Sequence, residues 1–375
     1  MDKHKVLTDW FKIMPSFILK AQNRILFEST PDLSDNTKPV FDEIVKRNLN
    51  SKYELIWLVS NRCKNYPMLK NVKYVTYNEK LKWRYYQLTS KLIICCNNIL
   101  QAYKKDQKSI YLTHGLPIKA VKNYYTVPEN VNYTISPSVN SRKIISDQFN
   151  VDLHKVKALG YPRNDVLTTS QIDINKLFRF DGKIIIWLPT FRQQHSGRKH
   201  GGNALPIIHD EQIAYSLNQV AKDNNVMLVL KPHFAQDMSY IKKHNLSNIK
   251  IISDSFLQKS NITLYQLLSS SSALLSDYSS VYFDYTICDK PIGVIWEDIE
   301  DYRKEPGFAV DLNYYLKGAE KIFTYNDFSS FIKAVANGFD KLKEERNEIK
   351  EEVTFSDGKS AKRIVDFIEN ILTNM

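Results

Sequence analysis

Strand-length apolar runs alternate with helical patterns along most of the chain, and this alternation limits the fold more than any other feature. In the first half, Arg24–Glu28 and Glu54–Val59 read as strands and Lys38–Leu49 between them reads as a helix. A second series of the same kind begins at Gly182 with the run Lys183–Leu188. Strands that alternate with helices are typical of parallel βαβ units. The sequence therefore predicts an α/β fold with two open halves built of such units.

The length of 375 residues is sufficient for two domains. The polar segment Thr168–Asp181 looks featureless and is the best candidate for a linker. We therefore expect α/β domains over residues 1–170 and 171–355, followed by a C-terminal helix over 356–375. Two open α/β halves bind ligands in the cleft between them, outside the carboxyl ends of their strands. We expect the site to lie in such a central cleft.

The charge balance predicts an anionic partner. Lysine and arginine number 52 and aspartate and glutamate 41, which gives a net charge of +11. A surplus of this size suits nucleic acid, acidic lipid headgroups or a phosphorylated substrate, and it does not choose among them. The four cysteines show no paired spacing, so we expect a reducing compartment and no disulfide framework or zinc site. Without HExxH, GxGxxG or GxxxxGK[ST] motifs, we expect neither a metal ion nor a cofactor.

No apolar run approaches the roughly 18–20 residues that a membrane-spanning helix needs. We therefore expect a cytosolic chain. The first twenty residues contain several apolar side chains, interrupted by Asp9, Lys12 and Pro15. Two interpretations of this segment remain open: it binds an anionic lipid surface, or it packs on the protein core.

Histidines follow two of the predicted strands. His114 comes after Ser109–Thr113 and is followed by Gly115. Imidazole titrates near neutrality and suits proton transfer, although a histidine satisfied within a turn is the alternative. Lys231 and His233 follow the strand Val226–Leu230. A cation beside a histidine favours an anionic ligand over a metal ion.

Two further strand ends carry residues suited to phosphate. Asp277, Ser279 and Ser280 follow the strand Ala273–Ser276 and open a helix. The serines fit an ordinary N-cap, or they present hydroxyl and amide donors to an anion such as a pyrophosphate. Thr190 and Arg192 follow the strand Lys183–Leu188, where the guanidinium of Arg192 suits bidentate binding of phosphate oxygens.

The order of these clusters is more specific than any one of them. The series THGLPIK, LGYPRND, LPTFR, LKPHF and SDYSSVYFDYTICDKPI resembles the CDP-glycerol glycerophosphotransferase family, which builds the polyol-phosphate chains of teichoic acids and capsules. The similarity covers roughly residues 24–315. It implies a GT-B-like fold of two Rossmann-like domains that face a central cleft, with C-terminal helices. It also implies peripheral association with the inner face of the cell membrane and a lipid-linked or polyol-phosphate acceptor. The chain departs from many members of the family at two places. They have Trp where this chain has Thr113, and a Pro-Gly-Pro-like turn where it has residues 316–320.

The resemblance also implies roles for individual residues. His114 matches the histidine proposed as the family's catalytic base, and His233 matches its second essential histidine. Ser279 and Ser280 match serines that contact the CDP pyrophosphate, and Arg192 matches a basic residue of the same site. Lys231, Thr190 and Asp277 complete the expected phosphate-binding set.

These matches predict transfer of glycerol phosphate or ribitol phosphate from a CDP-activated donor to an acceptor hydroxyl, with release of CMP. Residues 1–170 would form the acceptor side and 171–355 the CDP-donor side. Two alternatives remain: a hexosyltransferase that uses a nucleotide sugar on the same fold, and a non-enzymatic basic module for membrane or nucleic acid. The second gives the clustered His and Ser residues no purpose and lacks a known nucleic-acid motif, so we expect no nucleic-acid partner.

Overall fold

A computed structural model of the chain describes residues 19–60, 66–190, 205–232, 238, 241 and 246–375. These residues form two compact units. Unit 1 contains the described residues up to Leu116 together with Lys122–Asp165 and Asp357–Met375. Unit 2 contains Pro117–Val121 and the described residues of Val166–Ser356.

Unit 1 is built on a parallel sheet of seven strands. In sheet order these are β3, β2, β1, β4, β5, β6 and β7, which is the order of a Rossmann sheet with one strand added at the β7 edge. The strands are β1 Gln22–Glu28, β2 Glu54–Val59, β3 Val72–Thr76, β4 Ser90–Cys95, β5 Lys108–Tyr111, β6 Tyr133–Ser136 and β7 Val156–Ala158. The helices between them are α1 Thr37–Lys46, α2 Lys80–Thr89 and α3 Arg142–Phe149.

Unit 2 repeats the plan with six parallel strands in the order β10, β9, β8, β11, β12, β13. The strands are β8 Lys183–Trp187, β9 Val226–Leu230, β10 Ile249–Ile251, β11 Ala273–Ser276, β12 Ile292–Ile295 and β13 Glu320–Ile322. The helices from the junction onward are α4 Asp165–Thr169, α5 Ile174–Phe178, α6 Glu211–Asp223, α7 Asp254–Lys259, α8 Leu264–Ser270, α9 Val281–Tyr285, α10 Ile299–Lys304, α11 Leu312–Tyr315, α12 Tyr325–Ala336 and α13 Lys343–Val353.

The predicted α/β class and both Rossmann-like sheets are confirmed. Central strands such as β2 and β9 are apolar on both faces because helices cover both sides of a parallel sheet. The expectation of a featureless linker over Thr168–Asp181 is wrong, because α5 lies within it. The Asp173 side chain caps that helix by accepting from the Lys176 amide, and Ile174 and Phe178 are buried.

A last helix, α14 Ser360–Thr373, packs in unit 1. Ile364, Ile368 and Ile371 lie on one of its faces and join the buried core of the seven-stranded sheet. At the start of the helix, the Asp165 carboxylate accepts hydrogen bonds from the amides of Ser360 and Ala361, both 2.8 Å long. The segment 356–375, which the sequence set apart as a C-terminal helix, is therefore part of the unit 1 core.

Within the described ranges, every helix is too short or too polar to cross a lipid bilayer. The expectation for the first twenty residues concerns a segment of which only residues 19 and 20 are described.

Candidate functional site

Each sheet has one place where its strand order reverses direction. In unit 1 this place lies between β1 and β4, and in unit 2 it lies between β8 and β11. At such a point the loops from neighbouring strands leave on opposite faces of the sheet and open a crevice at the carboxyl ends of the strands. The candidate site residues within the described ranges follow the carboxyl ends of strands β5, β8, β9 and β11 in these two sheets.

In unit 2, Thr190 and Asp277 join the two strands that flank the crevice. The strands stay paired beyond their ends, since the Leu188 amide donates to the Leu275 carbonyl at 2.8 Å. The Thr190 amide then donates to one Asp277 carboxylate oxygen at 2.9 Å, and its hydroxyl donates to the other. Asp277 is fully buried. These contacts give Asp277 the role of holding the loop after β8.

The serines next to Asp277 are half-buried at the start of α9. Ser280 stands at the N-cap position, yet its side chain makes no capping hydrogen bond, so the N-cap interpretation does not hold for it. Tyr278 anchors the loop: its ring centroid lies 4.0 Å from that of Tyr302 and its hydroxyl donates to Asp298 at 3.0 Å. A fixed loop that presents two serines suits the binding of an anion.

Lys231 lies at the end of the neighbouring strand β9. Its amide donates to the Trp187 carbonyl at 3.0 Å, and its Nζ pairs with Asp254 at 2.9 Å. The structure therefore brings Thr190, Lys231 and Asp277 to the ends of three adjacent strands. Arg192 and His233 lie outside the described residues.

The corresponding crevice in unit 1 is closed by a carboxylate of the chain itself. Glu28, at the end of β1, is fully buried. It accepts hydrogen bonds from the backbone amides of Cys96, Asn97 and Asn98, at 3.0 to 3.1 Å, and from the Asn98 side chain at 2.8 Å. Burial raises the pKa of the Glu28 carboxyl, and these hydrogen bonds oppose the rise. Amides that could bind a phosphate group in this crevice are thus already committed to Glu28.

His114 follows β5 and its side chain is exposed. The residue before it, Thr113, is fully buried and has a φ of 54°, a left-handed conformation that is rare for a β-branched residue. Gly115, with a φ of 139°, completes the sharp turn. The main chain therefore bends abruptly here and presents the imidazole at the surface.

A buried polar network holds this turn. The Asn36 side chain donates to the Thr113 carbonyl at 3.0 Å and accepts from the Arg163 amide at 3.2 Å. The Thr113 hydroxyl donates to the Tyr161 hydroxyl at 2.8 Å. The Arg163 guanidinium donates to the His114 carbonyl at 2.9 Å and to Asp35 at 2.8 Å. The sequence alone assigned none of these supporting roles. The sequence feature that could have revealed them is that Asn36 and Arg163 both follow strands that belong to one sheet.

The surroundings of His114 favour its neutral form. Desolvation by the protein around the imidazole lowers its pKa below the ordinary value of 6.5. The Asp35 carboxylate and a hydrogen bond to the Cys96 backbone oppose this shift, whereas the Arg163 guanidinium adds to it. A neutral imidazole at the surface can accept a proton from a hydroxyl group.

Comparison with known proteins shows similarity over most of the chain. The chain is 28% identical to a teichoic acid glycerol-phosphate transferase of Staphylococcus aureus over 84% of both chains. It is 26% identical to a teichoic acid poly(glycerol phosphate) polymerase of Bacillus spizizenii, over 81% of this chain and 82% of that protein. A solved structure of the wall teichoic acid polymerase TagF matches its fold with a TM-score of 0.75 at 23% identity, over 98% of this chain and 93% of that one.

A family model gives the same result for nearly the whole length. The model described as CDP-Glycerol:Poly(glycerophosphate) glycerophosphotransferase matches residues 11–370. The match contains both Rossmann-like sheets, the His114 turn and the loops after β8, β9 and β11. The chain therefore belongs to the CDP-glycerol:poly(glycerophosphate) glycerophosphotransferase family.

Proposed function

We propose that this protein transfers glycerol phosphate or ribitol phosphate from a CDP-activated donor to a hydroxyl group of a teichoic acid acceptor and releases CMP. Membership of a transferase family supports the reaction class. The observation that carries the assignment of residues is the contrast between the two crevices: Glu28 occupies the amides in unit 1, whereas Ser279 and Ser280 stand at the crevice of unit 2.

The donor binds to unit 2 in this proposal. Ser279 and Ser280 contact the pyrophosphate of the CDP donor, and Asp277 with Thr190 shapes the loop beside them. The positive charges of Lys231 and Arg192 offset the negative charge of the phosphates. His233 stabilises the transferring phosphate or the departing CMP.

The acceptor reacts beside unit 1. An acceptor hydroxyl oxygen attacks the phosphorus that bears the polyol, and a new P–O bond forms there. The bond from that phosphorus to the bridging pyrophosphate oxygen breaks, and CMP leaves with the electron pair. His114 accepts the proton of the hydroxyl. The reaction requires in-line alignment of the attacking and leaving oxygens, together with charge neutralisation.

A lipid-linked acceptor would place the enzyme at the inner face of the cell membrane, where the net charge of +11 favours anionic lipids. Flotation of the purified protein with anionic liposomes at low salt tests this attachment. Co-migration that weakens at high salt is expected, and a protein that stays at the bottom of the gradient at low salt would exclude direct lipid binding.

Release of CMP from CDP-glycerol and CDP-ribitol, each with and without a lipid-linked or short polyol-phosphate acceptor, tests the reaction. Acceptor-dependent CMP release with one donor supports the proposal and names the polyol. A product formed only from a nucleotide sugar would overturn it in favour of a hexosyltransferase. A folded protein that is inactive with both CDP-polyols and all these acceptors would also contradict it.

A further inference from the structure

We propose that Asp35 and Arg163 form a positioning pair for His114, which fixes the main chain at that residue and balances the charge beside its imidazole. The kinetic part of this inference rests on the proposed role of His114 as the base. The structural part concerns the imidazole itself and can be tested without any substrate.

One guanidinium nitrogen makes both contacts of the pair. Nη1 of Arg163 lies 2.8 Å from the Asp35 carboxylate and 2.9 Å from the His114 carbonyl oxygen. The Arg163 side chain is 9% exposed and that of Asp35 is 16% exposed. Bonds between charged groups with so little exposure are stronger than ordinary hydrogen bonds, and removal of one partner leaves a poorly solvated charge.

The turn needs this support because its backbone is strained. A non-glycine residue in the left-handed region costs of order 1–3 kcal/mol and persists only where its surroundings impose it. The surroundings hold the two successive carbonyls that follow the strained residue: Asn36 binds the Thr113 carbonyl, and Arg163 binds that of His114. Without the Arg163 contact, the His114 carbonyl loses this hydrogen bond. The main chain that orients the imidazole is then held less firmly.

The charges of the pair act on His114 in opposite senses. The groups that act electrostatically on the imidazole are Asp35 from the loop after β1 and Arg163 from the turn after β7, and the backbone of Cys96 in the loop after β4 forms a hydrogen bond with the ring. Asp35 favours the protonated imidazole and Arg163 disfavours it. A substitution that removes the charge of Asp35 therefore shifts the His114 pKa in one direction, and removal of the Arg163 charge shifts it in the other.

Opposite shifts in the titration of His114 are the expected signature. In full-length protein with ¹⁵N-labelled histidine, the His114 signal is assigned by its loss in His114→Ala and followed against pH. Asp35→Asn should move the titration midpoint to lower pH and Arg163→Met to higher pH, each by about half a unit or more, a roughly threefold change in proton affinity. The matched control Asp42→Asn removes a carboxylate from an exposed pair with Lys38 and should leave the midpoint unchanged.

A second arginine variant covers the case in which Arg163→Met does not fold. Arg163→Lys keeps the positive charge and loses the planar guanidinium, so its midpoint should stay near that of the wild type while kcat for CMP release falls. Shifts in the same direction for Asp35→Asn and Arg163→Met, or no shift in folded Asp35→Asn, would overturn the pair's electrostatic role. An unchanged kcat in Arg163→Lys would overturn its positioning role.

The two proposals fail in different ways. If the wild type releases no CMP from either CDP-polyol, the proposed function fails, and the titration still decides whether the pair acts on His114. If the wild type is active and His114→Ala is not, but the midpoints of the folded variants coincide, the function stands and the positioning pair does not.

Discussion

Thr190 donates two hydrogen bonds to Asp277, one from its amide and one from its hydroxyl, and each carboxylate oxygen accepts one of them. The two residues are 87 positions apart in the chain and lie at the ends of adjacent strands. The contact therefore ties the main chain at Thr190, just after β8, to a buried carboxylate just after β11 at the unit 2 crevice.

Thr190→Val should destabilise the protein and weaken donor binding. Valine keeps the branched shape but removes the hydroxyl that Asp277 accepts from, and loss of a hydrogen bond to a buried charged group costs about 1.5–3 kcal/mol. Thr190→Ser keeps the hydroxyl and is the matched control. Urea unfolding and the KM for the CDP donor measure the two effects. Equal stability and equal KM in the valine and serine variants would refute this role of the contact.

His114→Ala should reduce turnover while donor binding largely survives. A general base contributes about 10²–10⁴-fold to the rate, and a loss of that size is expected in kcat. Binding of the CDP donor, measured by calorimetry, should change little because the residues proposed to bind the donor lie in unit 2. A variant with nearly wild-type turnover would remove His114 from the role of base.

The pH dependence of the wild type should reflect the environment of His114. The imidazole must be neutral to accept a proton, so kcat/KM falls as the pH drops through its pKa. Because desolvation lowers that pKa, the acidic limb should lie below pH 6.5. A profile of CMP release between pH 5 and 8 measures it. An acidic limb above pH 6.5 would contradict the lowered pKa or the identity of the base.

His233→Ala should lose turnover to a similar extent and bind CDP more weakly. In the proposed mechanism this histidine acts on the transferring phosphate or on CMP, so its loss affects the donor directly. Steady-state kinetics together with calorimetric titration of CDP separates this variant from His114→Ala. Unaltered CDP affinity with full activity would exclude His233 from the donor site.

Gly160→Ala should loosen the C-terminal helix. Gly160 has a φ of 88°, and a Cβ there would overlap the Ser360 hydroxyl and lie 2.9 Å from both the Ser360 Cβ and the Arg363 guanidinium. Gly338→Ala is the matched control, since Gly338 has a φ of 69° and a Cβ there meets no atom within 4 Å. The control should lose about 1 kcal/mol of unfolding free energy from backbone strain alone. An equal loss of unfolding free energy in both variants would show that the close contact between position 160 and α14 does not affect stability.

Much of the fold could be predicted because buried parallel strands appear in the sequence as continuous apolar runs. The bounds predicted for Glu54–Val59 and Val226–Leu230 are those of β2 and β9. The strand β13, Glu320–Ile322, escaped prediction because its three residues include two charged ones. Helix α5 escaped because the polar residues around Ile174 and Phe178 masked their helical spacing.

The candidate site was predictable only in part. His114, Thr190 and Asp277 stand directly after apolar strands, so their placement at strand ends follows from the local pattern. Asn36 stands at the N-cap position of α1, yet its side chain makes no capping bond there and instead bonds to Thr113 and Arg163. Contacts between segments 77 and 127 residues apart depend on the strand order, which a local pattern does not contain.

The packing of α14 in unit 1 has a consequence for synthesis on the ribosome. The core of unit 1 includes Ile364, Ile368 and Ile371, whereas unit 2 draws nearly all its residues from the continuous stretch 166–356. The unit translated first therefore cannot close its core until the ribosome has passed residue 371, long after the strands of unit 2 have emerged. Until then, apolar core residues of unit 1 remain exposed in the nascent chain, and chaperones bind such exposed apolar surface. Unit 2 can thus complete its core before unit 1, although most of unit 1 is translated first.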